Sequence, residues 1–489
     1  MNNNRLVVLA YIWNFSSNLV IRGLGVISTL VLVRILSSAD FGIIAIAMMI
    51  NGFFDVLSNV GINRYLILKK SPTDDDYSNA WCWNIVLKIV LALLMCGSAS
   101  YFADYFGYPE LTSVIVVMAI IQLCNAFTNV GLIKLEKELN FSIKNKILII
   151  AKIFSFVVTI ASAFYFTNYY ALLIGMLVNA LVRVLFSYLY CNFRVSFVLK
   201  YDQALFSTSS FLFVRNTIGY SRAQIDTFFV SSQLGKASTG DYAVSKQFSS
   251  MPYSELIGPA MAPIFSALSA LKDDRNLFHK KALQTLFLIL AVITPCCFGL
   301  YLIRAEFTEL VLGQKWAHVS DALGLLAFLM LVFCIQPIIN IIFDGYGKTK
   351  HSIWIEIFGL TTLVLGFVIV APETLYQFIQ VRVLVGFLTI LFMLSLSVVL
   401  VEFNLLKFMI IITFITLPSA IMYLSLVSVD VSSYGLAIRM LAKMALGIAA
   451  YCTFFIFLIY AQFFILKSET LTSVIPSQFY KLLSITRAK

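Results

Sequence analysis

The chain has 489 residues, of which 60% are hydrophobic and only 12% charged, with a mean hydropathy of +0.92. Soluble domains are nearer 45–50% apolar and about 25% charged, so a soluble enzyme, a disordered chain and a nucleic-acid scaffold are all excluded. The net charge of +11 fits Lys and Arg concentrated in cytoplasmic loops and implies no nucleic-acid partner.

A helix needs about 20 apolar residues to cross the hydrocarbon core. Apolar runs fall at 8–33, 41–63, 80–103, 111–133, 147–166, 169–191, 208–234, 242–270, 282–303, 322–343, 352–371, 375–400, 408–429 and 437–466. The expectation is an all-α integral membrane protein of about fourteen spans. The first run lacks a small-residue cleavage site, so it is expected to stay as a helix. Polar stretches at 192–207 and 271–281 punctuate the series, and 467–489 reads as a basic cytoplasmic tail. The expected division is a first lobe at 1–200, a second at 201–401, two further spans at 402–466, and the tail.

Alternate gaps differ sharply in charge. With the N-terminus in the cytoplasm, the cytoplasmic gaps and tails hold 21 Lys and Arg, whereas the opposite gaps hold four: Arg34, Lys236, Arg304 and Lys315. The bias places both termini inside. An internal repeat accompanies it. RILSSADFGIIAIA (34–47) opens the second span and QLGKASTGDYAVS (233–245) opens the eighth, each with Asp followed by an aromatic, at Asp40 and Asp241. Six spans used twice is a common transporter plan, with the substrate site at the repeat interface.

No catalytic constellation is present in the sequence. GYGKTK (345–350) has Ile342 where a phosphate-binding loop needs glycine, and no strand precedes it. The three histidines show no metal-ligand spacing, and the eight cysteines suggest neither a disulfide framework nor a zinc site. No cofactor or metal is expected, with H+ or Na+ coupling left open.

Charge at membrane depth is the informative feature, because it is costly and by default marks a pathway. Lys152, Arg382, Arg439 and Lys443 lie near span ends and are read as snorkelling to the head groups. Arg22, Asp55, Arg215, Arg222, Asp226 and Glu255 lie near mid-span; Lys88 and Arg183 are secondary candidates. At 100° per residue, Asn14, Asn18, Arg22 and Thr29 share an arc on the first span, as do Arg215, Arg222 and Asp226 on the seventh. Asn51, Asp55, Asn59 and Asn63 descend the second in steps of four. Tyr242, Lys246, Ser249 and Tyr253 form a looser stripe on the eighth. The stripes describe a wet cavity between two six-helix lobes, richer in bases than acids, that suits an anion with hydroxyl-rich surroundings. The plainer alternative is a set of interhelical hydrogen bonds. Of the carboxylates, Asp226 is read as an ion-pair partner of Arg222, four residues away. Asp55 and Glu255 have no basic neighbour on their own helix and are the candidates to carry a proton or meet Na+.

VRILSSADFG (33–42), FFDVLSNVGINRYLIL (53–68), YSRAQIDTFFVSSQLG (220–235), PAMAPIFSALSALKDDR (259–275) and VLGQKWAHVSDALGLLAF (311–328) together resemble the Wzx-type polysaccharide transporters of the MOP superfamily, closest to the colanic-acid-exporter-like oligosaccharide flippases. The resemblance covers about residues 5–360, with Ser38-Ala39 where the family usually shows Pro-Glu. It implies two V-shaped six-helix lobes plus two C-terminal helices in the bacterial inner membrane. It also implies outward flipping of an undecaprenyl-diphosphate-linked oligosaccharide, with membrane lipid and the polysaccharide polymerase machinery as partners. Arg22, Arg215, Arg222 and Lys246 would then hold the diphosphate. Asn18, Asn51, Tyr253 and neighbouring polar groups would hold sugar. Two other readings stand beside it: a cation-coupled exporter of the related MATE type, and a membrane enzyme or scaffold.

Overall fold

The computed structural model describes residues 3–58, 66–67, 69, 71–138, 140–200, 210–401, 403–429, 433–462 and 475, with the side chains of 3–15 and 210–215 excepted. The described residues form helices joined by turns and irregular segments, such as 192–200, and contain no strand. Asn59, Asn63, the side chains of Asn14 and Arg215, and the basic tail apart from residue 475 lie outside them. Eleven described helices are long and apolar enough to cross a membrane, or twelve when one bent pair is taken as a single span.

The chain divides into two compact units, Met1–Ala243 and Val244–Lys489. The first holds α1 (Asn3–Ile35), α2 (Ser38–Ser58), α3 (Asp74–Phe106), α4 (Glu110–Ala126), the short α5 (Gly131–Lys137), α6 (Ser142–Phe166), α7 (Tyr170–Tyr190), α8 (Ser210–Gln233) and the first part of α9 (Gly235–Ser249). The cut therefore falls inside α9, whereas the hydropathy reading places the lobe boundary at 200/201.

Local chemistry sets the helix ends. Ser37 and Asp40 form a reciprocal cap on α2: the Ser37 N–H donates to Asp40 Oδ2 at 2.9 Å, and the Asp40 N–H to Ser37 Oγ at 3.3 Å. The other Asp40 oxygen accepts the Tyr169 N–H at 3.0 Å, so the repeat's aspartate ties the start of α2 to the start of α7. Thr73 and Asp76 repeat the device at α3. Gly107 stops α3 in the left-handed conformation, φ 75°.

Lipid offers no hydrophobic force to drive helices together, so spans pack through small residues and close van der Waals contact. Gly42 and Gly240 follow this rule. A Cβ on Gly42 would overlap the Lys236 carbonyl, and one on Gly240 would overlap the Ser38 carbonyl. The two copies of the repeat thus cross backbone to backbone at their helix starts. Gly175 lies equally close to Thr159, joining α6 to α7, and Ser155 Oγ donates to the Gly175 carbonyl at 2.8 Å. The core of this unit is Ile43, Ile46, Met95, Ala99, Leu111, Val114 and Ile115, from α2, α3 and α4.

The second unit continues from the end of α9 through a π turn (Tyr253–Ile257) into α10 (Gly258–Ser269). There follow α11 (Arg275–Leu302), the single turn α12 (Arg304–Phe307), α13 (Ser320–Leu326), α14 (Leu329–Gly345), α15 (Ser352–Val370), α16 (Leu375–Val401), α17 (Leu405–Val427) and α18 (Leu436–Ala461). Prolines lie inside α10, α11, α14 and α17 at Pro263, Pro295, Pro337 and Pro418. Phe287, Phe414 and Phe455 cluster where α11, α17 and α18 meet, and Phe367 stacks on Phe378 at 4.1 Å between α15 and α16.

The seventh and eighth expected spans depart from the simple pattern. The helix α8 carries Arg222, Asp226 and a run of Ser, Thr and Gln, and is not among those apolar enough to cross unaided. The eighth run, expected as one helix over 242–270, is divided by Pro252 and the π turn. Proline removes a backbone donor and clashes with the preceding turn, and the wider π turn accommodates it.

Candidate functional site

The candidate residues fall into separate groups. In the first unit α8 lies directly on α2: a Cβ on Gly52 would overlap the Tyr220 ring, whose hydroxyl donates to the Met49 carbonyl at 2.7 Å. This sets the helix of Arg222 and Asp226 against the helix of Asn51 and Asp55. The helix α1, carrying Asn18 and Arg22, packs along α6, with Arg22 half-buried and Asn18 exposed. The remaining candidates, Lys246, Tyr253 and Glu255, belong to the second unit.

Asp55 is not isolated, as its own helix suggested. Lys88 of α3 donates to Asp55 Oδ1 in a close ion pair. The partners differ in setting: the Lys88 residue is 9% exposed, whereas the Asp55 side chain is 59% exposed. The lysine is therefore the desolvated member and the carboxylate neutralises it from the wetter side. Asp226 is fully buried, 0% exposed, and its Oδ2 accepts the Tyr242 hydroxyl at 2.8 Å. That bond joins α8 to α9 within the first unit. Asn51 keeps a buried carbonyl oxygen that has no hydrogen-bond partner among the described residues.

In the second unit Tyr253 and Glu255 occupy the π turn. Tyr253 leans on Phe333 at 5.9 Å, and Ser254 Oγ donates to Glu255 Oε1 at 3.1 Å. Arg439 and Lys443 are not simple snorkelling residues. Both reach Glu306 Oε1, at 3.1 and 2.6 Å, and Glu306 is only 3% exposed. Burial alone would raise the Glu306 carboxyl; the Lys443 hydrogen bond and the charges of Lys443 and Arg439 outweigh it and hold it below the usual carboxylate value.

Arg183 stands apart from the other candidates. It lines a cavity of about 240 Å³ where α4 bends by 59° into α5, together with Trp81, Asn84, Asn125, Glu136 and Lys144. Periodicity alone could not assign it there, because the cavity is assembled from five helices. Its only sequence signal is the set of amides and bases flanking the ends of the third to sixth spans. Among the described residues, no group of three or more His, Cys, Asp or Glu side chains could hold a metal ion.

The chain is similar to several known proteins. It is 25% identical over 320 residues to a Klebsiella pneumoniae protein described as an uncharacterized membrane protein in the cps region, 23% identical over 320 residues to the succinoglycan biosynthesis transport protein ExoT of Rhizobium meliloti, and 24% identical over 324 residues to the lipopolysaccharide biosynthesis protein WzxC of Escherichia coli. The matches take in 64%, 64% and 65% of this chain and 66%, 64% and 66% of the relatives, so the chain spans just under two thirds of their length. Among solved structures it resembles an inward-facing MATE family multidrug transporter of the MOP superfamily, at TM-score 0.52 and 16% identity over 80% of this chain and 96% of that one. It also resembles the Vibrio cholerae MATE transporter VcmN, at TM-score 0.51 and 12% identity over 80% and 96%. At such identities these likenesses define the fold, that of the MATE transporters. The family profile described as "Polysaccharide biosynthesis protein" matches residues 31–321, more than half of the chain; this multi-pass membrane protein belongs to that family.

Proposed function

We propose that the protein flips a polyprenyl-diphosphate-linked oligosaccharide from the cytoplasmic to the periplasmic leaflet of the bacterial inner membrane by alternating access, for exopolysaccharide, O-antigen or capsule synthesis. In this reading both termini are cytoplasmic and the 21-to-4 base bias sets the orientation. One observation carries the proposal. The deep carboxylates of α2 and α8 are already engaged, Asp55 by Lys88 and Asp226 by Tyr242, on helices that also carry half-buried Arg222. Among the remaining candidates Arg22, Arg215, Arg222 and Lys246 outnumber Asp226 and Glu255, so the balance of the path is basic. A diphosphate leaving water needs charge-assisted donors, and a planar guanidinium supplies two at once. The names of the relatives point the same way. Arg22 and Arg222 would grip the diphosphate, with Arg215 and Lys246 as further cations and Asn18 and Asn51 as sugar-facing amides. A cation-coupled exporter would want a carboxylate available to its cation, and Asp55 already carries an ammonium.

The test is surface polysaccharide in a strain depending on this protein. Arg22→Ala and Arg222→Ala should each abolish it while membrane abundance stays near wild type, and Arg→Lys should keep part of it. Full export by both alanine variants would overturn the proposal.

A further inference from the structure

Arg183 lies seven residues before the end of α7, about 10 Å along the helix at 1.5 Å per residue. Its guanidinium has no hydrogen-bond or ion-pair partner among the described residues, although it lines a partly open cavity of mixed polar and apolar wall. The other charges in that lining cancel: Lys144 Nζ donates to Glu136 Oε2 at 2.8 Å. Arg183 is left as the net charge of the space. The amides of Asn84 and Asn125 donate to the Ala126 and Ile121 carbonyls, which fixes their side chains at the wall.

A desolvated charge is costly unless it is paired. A lysine could shed its proton to escape that cost, but a guanidinium cannot. An unpartnered guanidinium lining one small space calls for an anion. A volume of about 240 Å³ is below the roughly 300 Å³ at which pockets for drug-sized ligands begin, which suits a single oxyanion head and excludes an oligosaccharide. The fork of Arg matches the paired oxygens of phosphate. The cavity also lies at the end of α4 and α7 that the base bias assigns to the cytoplasmic head-group layer.

We propose that this cavity is a phosphate seat separate from the substrate path, in which Arg183 pairs with a phosphate group. The phosphate is either the head group of an anionic phospholipid or soluble phosphate. The inference does not depend on the flippase reading.

The experiment uses the full chain in micelles of a maltoside detergent, which carries no phosphate, and follows the unfolding midpoint in two arms. One adds inorganic phosphate at constant ionic strength. The other adds phosphatidylglycerol to the micelles. A ligand that binds only the folded state raises the midpoint; the wild type should show a saturable rise of about 2–4 °C in one arm, which identifies the source. Arg183→Gln should abolish that rise, and Arg183→Lys should keep part of it with the half-point at higher concentration. A rise lost in Arg22→Gln and kept in Arg183→Gln would assign the bound phosphate to the substrate path and overturn the proposal. Should Arg183→Gln fail to assemble, the Arg183→Lys curve decides, and a curve identical to wild type overturns the proposal. A wild-type midpoint indifferent to both arms, or an undiminished rise in Arg183→Gln, also overturns it.

Discussion

At the scale of single residues, the deep charges are governed by partners on other helices, which spacing along one helix cannot reveal. Asp55 and Lys88 are 33 positions apart, and Glu306 and Lys443 are 137 apart. Asp40 is different: Ser37 and Asp40 have the spacing of a capping box, so that role was legible in the motif once its spacing was checked. Asp55→Asn leaves the Lys88 charge buried without its carboxylate. The expected cost falls between the about 1 kcal/mol of an exposed pair and the roughly 3–5 of a buried one, since only the lysine is desolvated. Removing both charges with Asp55→Asn and Lys88→Met should recover most of it, measured as thermal stability in detergent. A double variant no better than the single one would show that the pair is not what Asp55 supplies. Glu255 then becomes the carboxylate to test for gradient coupling. In a reconstituted system, Glu255→Gln should blunt the response to an imposed pH or Na+ gradient, and Asp55→Asn should leave that response in place.

At the scale of elements, the sequence reading located the helices well where they are apolar and poorly where they are polar. The expected runs at 352–371 and 375–400 reappear as Ser352–Val370 and Leu375–Val401. The run at 242–270 hides a break, because hydropathy averages over Pro252 and cannot register a change in hydrogen-bond pattern. Helix crossings are equally invisible to hydropathy, yet the repeat contained their signal in Gly42 and Gly240. Gly42→Ala must displace a backbone carbonyl, not a movable side-chain tip. It should destabilise by about 1–3 kcal/mol, the usual range for overpacking, or prevent assembly. Gly23→Ala, which meets nothing within 4 Å, should be neutral. The measurement is the folded fraction by size-exclusion chromatography after heating; equal behaviour of the two variants would mean that the crossing tolerates a methyl group.

At the scale of the whole molecule, topology and acid stability are both open to measurement. On a cysteine-free background, single cysteines placed in 271–281 and in 104–110 should label from opposite sides of the membrane, the first from the cytoplasm. Labelling of both from the periplasmic side would end the fourteen-span reading. Glu306 makes a second prediction. Its carboxyl is held below the unfolded value of about 4.3, so it contributes stability that is fully present above that value and lost as pH falls through the lower folded one. Unfolding curves should therefore steepen with acid below about pH 4.3, and Glu306→Gln should flatten that limb; an unchanged limb would remove Glu306 from the account. The same carboxylate bears on how such chains can diversify. Glu306 lies inside the family match, which ends at residue 321, while Arg439 and Lys443 lie beyond it. The last helix is thus not a freely exchangeable module: a graft without bases at those two positions would strand an anion in the recipient's interior. Exchange of C-terminal segments between relatives should succeed only when donor and acceptor travel together, or when the acid is neutralised first.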